Sequence, residues 1–297
     1  MKRKLTTKKV WLAVIFVAAA FILAGCQNNV DPSGKTLPER IIYLDTPWTA
    51  MFNESILTAV LVYPLAQVIN FLGKNLDSAV LGITITTIIY NILTMAISVK
   101  STVSAQKMQM MQPELNRIQA KYAGRNDENS RMAQAQEMNA LYKKAGVNPL
   151  GSIATPLLTF PIMIAMYYAT QRAEVVVNGD LFNIPLITTP LAAFKDLKNL
   201  WPIAVLFVLM LLLQIASSLL PQKLAEWKRK KQKNYKAYAD NGPSNNNQMI
   251  TMLLMTVVLI GWLGIRWPAA MSAYWAVSSA VNIAKTLYIQ RRYIDHE

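Results

Sequence analysis

Five polar residues recur at helical spacing in the apolar stretch ITITTIIYNILTMAISVK (83–100). They are Thr84, Thr87, Asn91, Thr94 and Ser98, spaced by three and four positions. At roughly 100° per residue they fall on a helix within an arc of about 80°. The last apolar stretch repeats the spacing with Ser272, Trp275, Ser279, Asn282 and Thr286, and a third offers Gln214, Ser217 and Ser218. Hydroxyls and amides of this kind do hydrogen-bond chemistry. Packed helix to helix, they act as glue worth about 0.6 kcal/mol per contact. Grouped, they wall a polar cavity within a bilayer. Two matched stripes plus Gln214 favour the cavity, because polar side chains in lipid face one another or water.

None of the apolar stretches contains Asp or Glu. A carboxylate relay for protons or sodium is therefore missing, which argues against a coupled secondary transporter. The use left for such a cavity is to hold polar peptide inside the bilayer, where it would otherwise lose its water.

The rest of the composition narrows the classes further. The chain has 297 residues, 53% hydrophobic and 15% charged, against about 25% charged in a soluble domain. It reads as a membrane protein. The net charge of +14 comes without any DNA- or RNA-reading motif, so no DNA partner is expected. One Cys and one His (His296) leave no disulfide and no zinc or haem set. A P-loop is missing, and no cofactor, metal or catalytic group is expected. The chain does not read as an enzyme.

Five segments are near the roughly 20 residues a helix needs to cross hydrocarbon: 79–99, 150–170, 202–220, 249–265 and 268–289. The apolar segment 55–73 is ambiguous. If it does not cross, seventeen Lys and Arg fall on one side of the membrane and seven on the other. The richer side is cytoplasmic, and making 55–73 a span would invert that. Residues 48–73 are therefore expected to form an amphipathic helix on the outer surface, bent near Pro64. The segment 26–47 and the loop 171–201 lie outside. The basic loop 221–248 and the tail 290–297 lie in the cytoplasm.

MKRKLTTKK followed by VWLAVIFVAAAFI and then Leu23-Ala24-Gly25-Cys26 resembles a bacterial lipoprotein signal with its lipobox. Residues 1–25 would be removed and Cys26 would carry the lipid, palmitate or a similar acyl chain. The mature N-terminus would then be anchored outside.

Residues 100–147 read as a helical hairpin. Met108, Met111, Leu115, Ile118 and Tyr122 make one apolar stripe, and Met132, Ala135, Met138, Tyr142 and Ala145 a second. Pro113 is expected to kink the first helix, and Gly146 to cap the second. Methionines adapt to variable partners. Met108, Met111, Leu115, Met138 and Tyr142 are therefore assigned to a docking surface, the alternative being a hairpin without a partner.

In this setting "MQPELNRIQAKY", "LYKKAGVNPLGS" and "PAAMSAYW" resemble the Gram-positive branch of the YidC/Oxa1/Alb3 membrane protein insertases, over most of residues 40–294. The resemblance implies an all-α polytopic fold, with five transmembrane helices around a hydrophilic groove, an outer amphipathic helix and a cytoplasmic hairpin. It implies an insertase and chaperone in protein transport that hosts polar substrate segments without nucleotide hydrolysis. Implied partners are nascent membrane proteins, the Sec translocon, the ribosome or targeting factors at the hairpin, and membrane lipids. The groove set is Thr84, Thr87, Tyr90, Asn91, Thr94, Ser98, Gln214, Trp275, Ser279 and Asn282, of which Gln214 and Trp275 match family groove positions. One departure stands out. The family usually has an arginine nine residues before the lysine that opens the hairpin, and nine before Lys100 stands Asn91. That makes a divergent paralogue acting as an accessory translocon subunit an alternative, as is a passive pore or lipid-handling protein. The run EWKRKKQKNYK (226–236) serves either ribosome contact or anionic head groups.

Overall fold

The structure is a computed structural model that describes residues 36–125, 127–147, 149–230, 254–255 and 257–294. The signal segment and Cys26, residues 231–253 with most of the basic run, and His296 lie outside the described residues. The side chain of Ser98 does too.

The fold is mostly helical. In chain order the helices are α1 (Trp48–Phe52), α2 (Tyr63–Asn75), α3 (Ala79–Met110), α4 (Gln112–Lys121), α5 (Glu128–Lys144), α6 (Pro149–Arg172), α7 (Glu174–Val177), α8 (Pro190–Lys195), α9 (Leu197–Lys230) and α10 (Ala269–Ile289). Residues 257–264 are also helical. The strands β1 (Asp180–Leu181) and β2 (Ile184–Pro185) form a two-residue antiparallel hairpin. Its turn places Phe182 and Asn183 at φ 54° and 64°. Among the described residues, Leu197–Lys228 is by itself long and apolar enough to cross a membrane, and only 22% of its apolar window is enclosed. Ala79–Met95 and Val99–Met110 of α3 pass the same test together and meet at 78°.

Two compact units divide the chain. The first holds the described residues up to Thr86, with Thr159–Ile203 and Pro268–Tyr274. A few polar side chains are enclosed among its buried apolar residues. Asn70, fully enclosed, donates to the carbonyl of Ile42 at 2.7 Å and accepts the amide of Val175 at 3.1 Å. One side chain thus fastens the N-terminal segment and the start of α7 to α2. The amides of Ala269 and Ala270 donate to the carbonyls of Thr188 and Leu186 at 2.9 and 3.1 Å, which satisfies the free donors at the start of α10. Where α2 meets α3, a Cβ on Gly82 would lie 2.8 Å from the carbonyl of Ile69 and 3.0 Å from Gly73. Only glycine allows that approach.

The second unit holds Thr87–Leu158, Ala204–Trp267 and the described residues from Trp275. Here α4 and α5 pack as a hairpin. Asp127 caps α5 by accepting the amide of Ser130 at 2.8 Å. At the other end Gly146 takes φ 62°, and the amides of Gly146 and Val147 reach the carbonyls of Lys143 and Tyr142 at 3.1 and 3.0 Å. That is the left-handed cap expected of this glycine.

Several boundaries differ from the sequence expectation. The outer segment breaks at residues 53–55 and not at Pro64. Pro64 directly follows a π-helical turn, Thr58–Val62, that runs into α2 with helical backbone at both Val62 and Tyr63. Pro113 opens α4 after a break at Met111 and does not kink a longer helix. The helix that starts at Ala79 continues through Lys100 to Met110, so the hairpin proper starts later. Helix α9 runs ten residues beyond 220 into the basic region. The apolar stripe of α5 is also shifted. Met132 and Ala135 are exposed, while Gln134, Glu137, Met138, Leu141 and Tyr142 are half-buried.

Candidate functional site

The polar stripe of α3 from Thr87 onward belongs to the second unit. Thr87 is fully enclosed and Asn91 nearly so, at 5% exposure. The amide of Asn91 donates to the carbonyl of Thr87 at 2.8 Å. Thr94 donates to the carbonyls of Tyr90 and Asn91 at 2.9 and 3.1 Å. These donors are satisfied by their own helix, which is how short polar side chains lower their cost in an apolar setting.

Two bonds run between helices. Tyr90 Oη meets Ser278 Oγ of α10 at 3.4 Å, and Ser279 Oγ donates to Gln214 Oε1 of α9 at 2.7 Å. Adjacent serines on α10 thus face two different helices. Within α9 the backbone carbonyl of Gln214 accepts Ser218 Oγ at 2.9 Å. Below it, Gln222 donates to the carbonyl of Ser218 at 3.2 Å, so the polar line continues down α9. Ser279 is enclosed and Asn282 half-buried.

Trp275 has an apolar setting. It packs against a cluster of Phe207, Met210 and Ala276 and meets Trp267 edge-on, with ring centroids 5.3 Å apart. The structure therefore brings together Tyr90, Gln214, Ser278 and Ser279. Thr84 and Ser272 belong to the first unit. Ser278 escaped the sequence pattern because it sits one step off the three-and-four spacing. The partner that identifies it is Tyr90.

Of the hairpin residues, Leu115 is enclosed, while Met108, Met111, Met138 and Tyr142 are half-buried. Met132 is the exposed methionine of α5, at 56%. Tyr122 and Lys121 at the end of α4 both bond Glu137 of α5, Tyr122 at 2.9 Å. The Lys121 bond holds the Glu137 carboxyl below its ordinary value, with Tyr122 adding to it.

Residues 71–296 match the profile of the 60Kd inner membrane protein family. The chain belongs to that family. The matched span of the 60Kd inner membrane protein family contains Tyr90, Asn91, Gln214, Ser278 and Ser279, hence the whole polar set of the second unit. Similarity to individual relatives reaches further. The chain is 27% identical over 289 residues to "Membrane protein insertase MisCA" of Bacillus subtilis, covering 96% of this chain and 93% of that one. It is 28% identical over 287 residues to "Membrane protein insertase YidC 2" of Bacillus anthracis, covering 95% and 94%. It is 31% identical over 229 residues to "Membrane protein insertase YidC 1" of Streptococcus pyogenes serotype M3, covering 77% and 72%. A protein of this family resides in a cell membrane, which agrees with the composition.

Proposed function

We propose that the chain is a membrane protein insertase and chaperone, acting on nascent membrane proteins alone or beside the Sec translocon. The observation that carries this is near full-length similarity to proteins named as insertases. In this reading the hydrogen-bonded set Tyr90–Ser278 and Gln214–Ser279 lines one side of a groove that receives polar substrate segments. Thr84, Thr87, Asn91, Thr94, Ser98, Trp275 and Asn282 complete it. Such a groove lowers the cost of taking a polar peptide out of water. The mechanism needs no nucleotide and no covalent step, because the substrate's own apolar segment supplies the free energy of entry into lipid.

Five spans (79–99, 150–170, 202–220, 249–265 and 268–289) carry the groove, with the signal 1–25 removed and Cys26 lipidated outside. The segment 48–73 lies on the outer face. Exposed Trp48, Phe52, Ile56, Val60 and Phe71 suit that interfacial position. The hairpin 100–147 and the basic end of α9 face the cytoplasm, the ribosome or targeting factors, and lipid head groups.

Depleting the protein and following pulse-labelled insertion of one- and two-span proteins tests the reading. Impaired insertion, with photocrosslinks from positions 91 and 279 to nascent chains, is the expected result. Normal insertion and no crosslinks would remove the reading.

A further inference from the structure

Helix α10 ends at a cleft. Ala284, Leu287, Tyr288, Arg291 and Arg292 line a hollow of about 490 Å³ on the second unit, a size that suits a small ligand or a head group. All five residues are exposed. Ala284, Leu287, Tyr288 and Arg291 follow the three-and-four spacing of one α-helical face. In a continuing α-helix Arg292 would stand about 100° round from Arg291. The chain instead changes to a π-helical turn over Gln290–Ile294. Its hydrogen bonds reach five residues back, so each residue rotates the chain less, and both arginines stay on the cleft. Gln290 and Ile294 are buried and hold the turn from its inner side.

The lining is apolar at one end and cationic at the other. Among the described residues no ion pair and no side-chain hydrogen bond engages either guanidinium. The acids that follow, Asp295 and Glu297, lie outside the described residues. Guanidinium donors form a planar fork that fits phosphate oxygens. Tyrosine suits the boundary between hydrocarbon and head groups, with its ring in one and its hydroxyl in the other. Apolar side chains, then tyrosine, then arginine therefore repeat the order of acyl chain, glycerol and phosphate in a phospholipid. A nucleic-acid phosphate would use the two arginines but leave Ala284 and Leu287 in water.

We propose that this cleft binds an anionic phospholipid. Arg291 and Arg292 hold the phosphate, Tyr288 lies beside the glycerol, and an acyl chain runs along Leu287 and Ala284. No residue of the cleft belongs to the Tyr90–Ser278 and Gln214–Ser279 set, and the site does not depend on the insertase reading. Free phosphate shares the anionic chemistry, and the test separates the two sources.

The test uses the full chain in phosphatidylcholine vesicles with a trace of phosphatidylglycerol or phosphatidylcholine carrying the same photoactivatable acyl chain. Adducts are mapped by mass spectrometry after pepsin digestion. The readout is the ratio of phosphatidylglycerol to phosphatidylcholine adducts on residues 284–292. The unaltered chain is expected to favour phosphatidylglycerol, and a ratio of one overturns the proposal without any variant. Arg291→Gln and Arg292→Gln should each lower the ratio about fivefold, the effect of one basic residue at an anionic surface, and the double Arg→Lys variant should keep most of it. Lys143→Gln with Lys144→Gln removes two exposed charges from the hairpin and should leave the ratio unchanged. An equal fall there would mean diffuse attraction and overturns the site. Inorganic phosphate at constant ionic strength should not abolish the preference; if it does, the cleft takes free phosphate and the lipid assignment falls. Arginine variants that keep the ratio but no longer sediment with ribosomes would assign the arginines to RNA, which also overturns it.

Discussion

Glu54 receives both terminal nitrogens of Arg172, at 2.7 and 2.9 Å, across 118 positions of sequence. Arg172 is the largest fully enclosed side chain among the described residues, at 2% exposure. Its Nε also donates to the carbonyl of Arg40 at 2.7 Å, and Arg40 approaches Glu54 at 3.2 Å. The end of α6 is thereby fastened to the segment that leads to α1.

Removing one partner of that pair strands a buried charge. Glu54→Gln is expected to destabilise the protein by about 3–5 kcal/mol, the usual penalty for an uncompensated interior ion. Combining Glu54→Leu with Arg172→Met should recover much of the loss, since an apolar pair of similar volume is often neutral. Thermal melts of the purified chain decide it. A Glu54→Gln protein that melts with the unaltered one would mean that the pair is not formed.

The bond from Ser279 to Gln214 is open to a double-mutant cycle. Ser279→Ala and Gln214→Leu, singly and together, should give a coupling energy of about 0.6 kcal/mol, the average for hydrogen bonds between helices in lipid. Additive losses would show that the two side chains do not bond in the membrane. Insertion assays on the same variants separate structure from function. A groove role requires a defect larger than the stability loss alone produces.

The sequence made the helices easier to read than their ends. Apolar length marks α3, α6, α9 and α10, whose apolar runs are near the length that the sequence expectation set for a crossing. Gly146 and the hairpin were legible because a glycine after two lysines is a local cap signal. Pro64 and Pro113 misled as bend signals. Each proline was taken to bend a helix, whereas the outer segment breaks at residues 53–55, before Pro64, and Pro113 sits at a helix start, where the missing N–H costs nothing. The stripe of α5 was misassigned because Met132 and Ala135 are apolar yet exposed, while Glu137 turns inward to Lys121 and Tyr122. Arg172 entered the charge balance as a loop cation, and nothing local foretold Glu54 as its partner. In the site, spacing found Gln214 and Ser279 but passed over Ser278, whose place depends on Tyr90 of another helix. Asn91 leaves α3 without the charge that the family resemblance led one to expect.

The crossing of α2 and α3 depends on Gly82. A Cβ there would press on the carbonyl of Ile69, and backbone cannot move aside as a side chain tip can. Gly82→Val should therefore push the helices apart and cost about 1–3 kcal/mol, as overpacking usually does. Gly124, whose surroundings are open within 4 Å, is a poor control because its φ is 82°. Gly261 is open without that restriction, so Gly261→Val is the matched comparison. Equal melting of the Gly82 and Gly261 variants would count against the close crossing.

The tie across the hairpin should depend on pH in a definite direction. Glu137 is held below its ordinary value of 4.5, first by the hydrogen bond from Lys121 and then by Tyr122. A depressed carboxyl contributes stability that is present above the ordinary value and is lost as pH falls through the lowered one. Lys121 is raised above its ordinary 10.5, chiefly by the same bond to Glu137. Its contribution is present below 10.5 and is lost as pH rises through the raised value. The link between α4 and α5 is therefore intact across neutral pH and weakens below 4.5. Asp127 is also lowered, by the amide and hydroxyl of Ser130, and loosens the α5 cap in the same acid range. Glu137→Gln isolates the two contributions. Hydrogen exchange of the hairpin amides should show an acid-side loss of protection in the unaltered chain. In the variant that loss should be smaller, with protection at neutral pH already reduced. Identical profiles for the two proteins would show that Glu137 does not hold the hairpin closed.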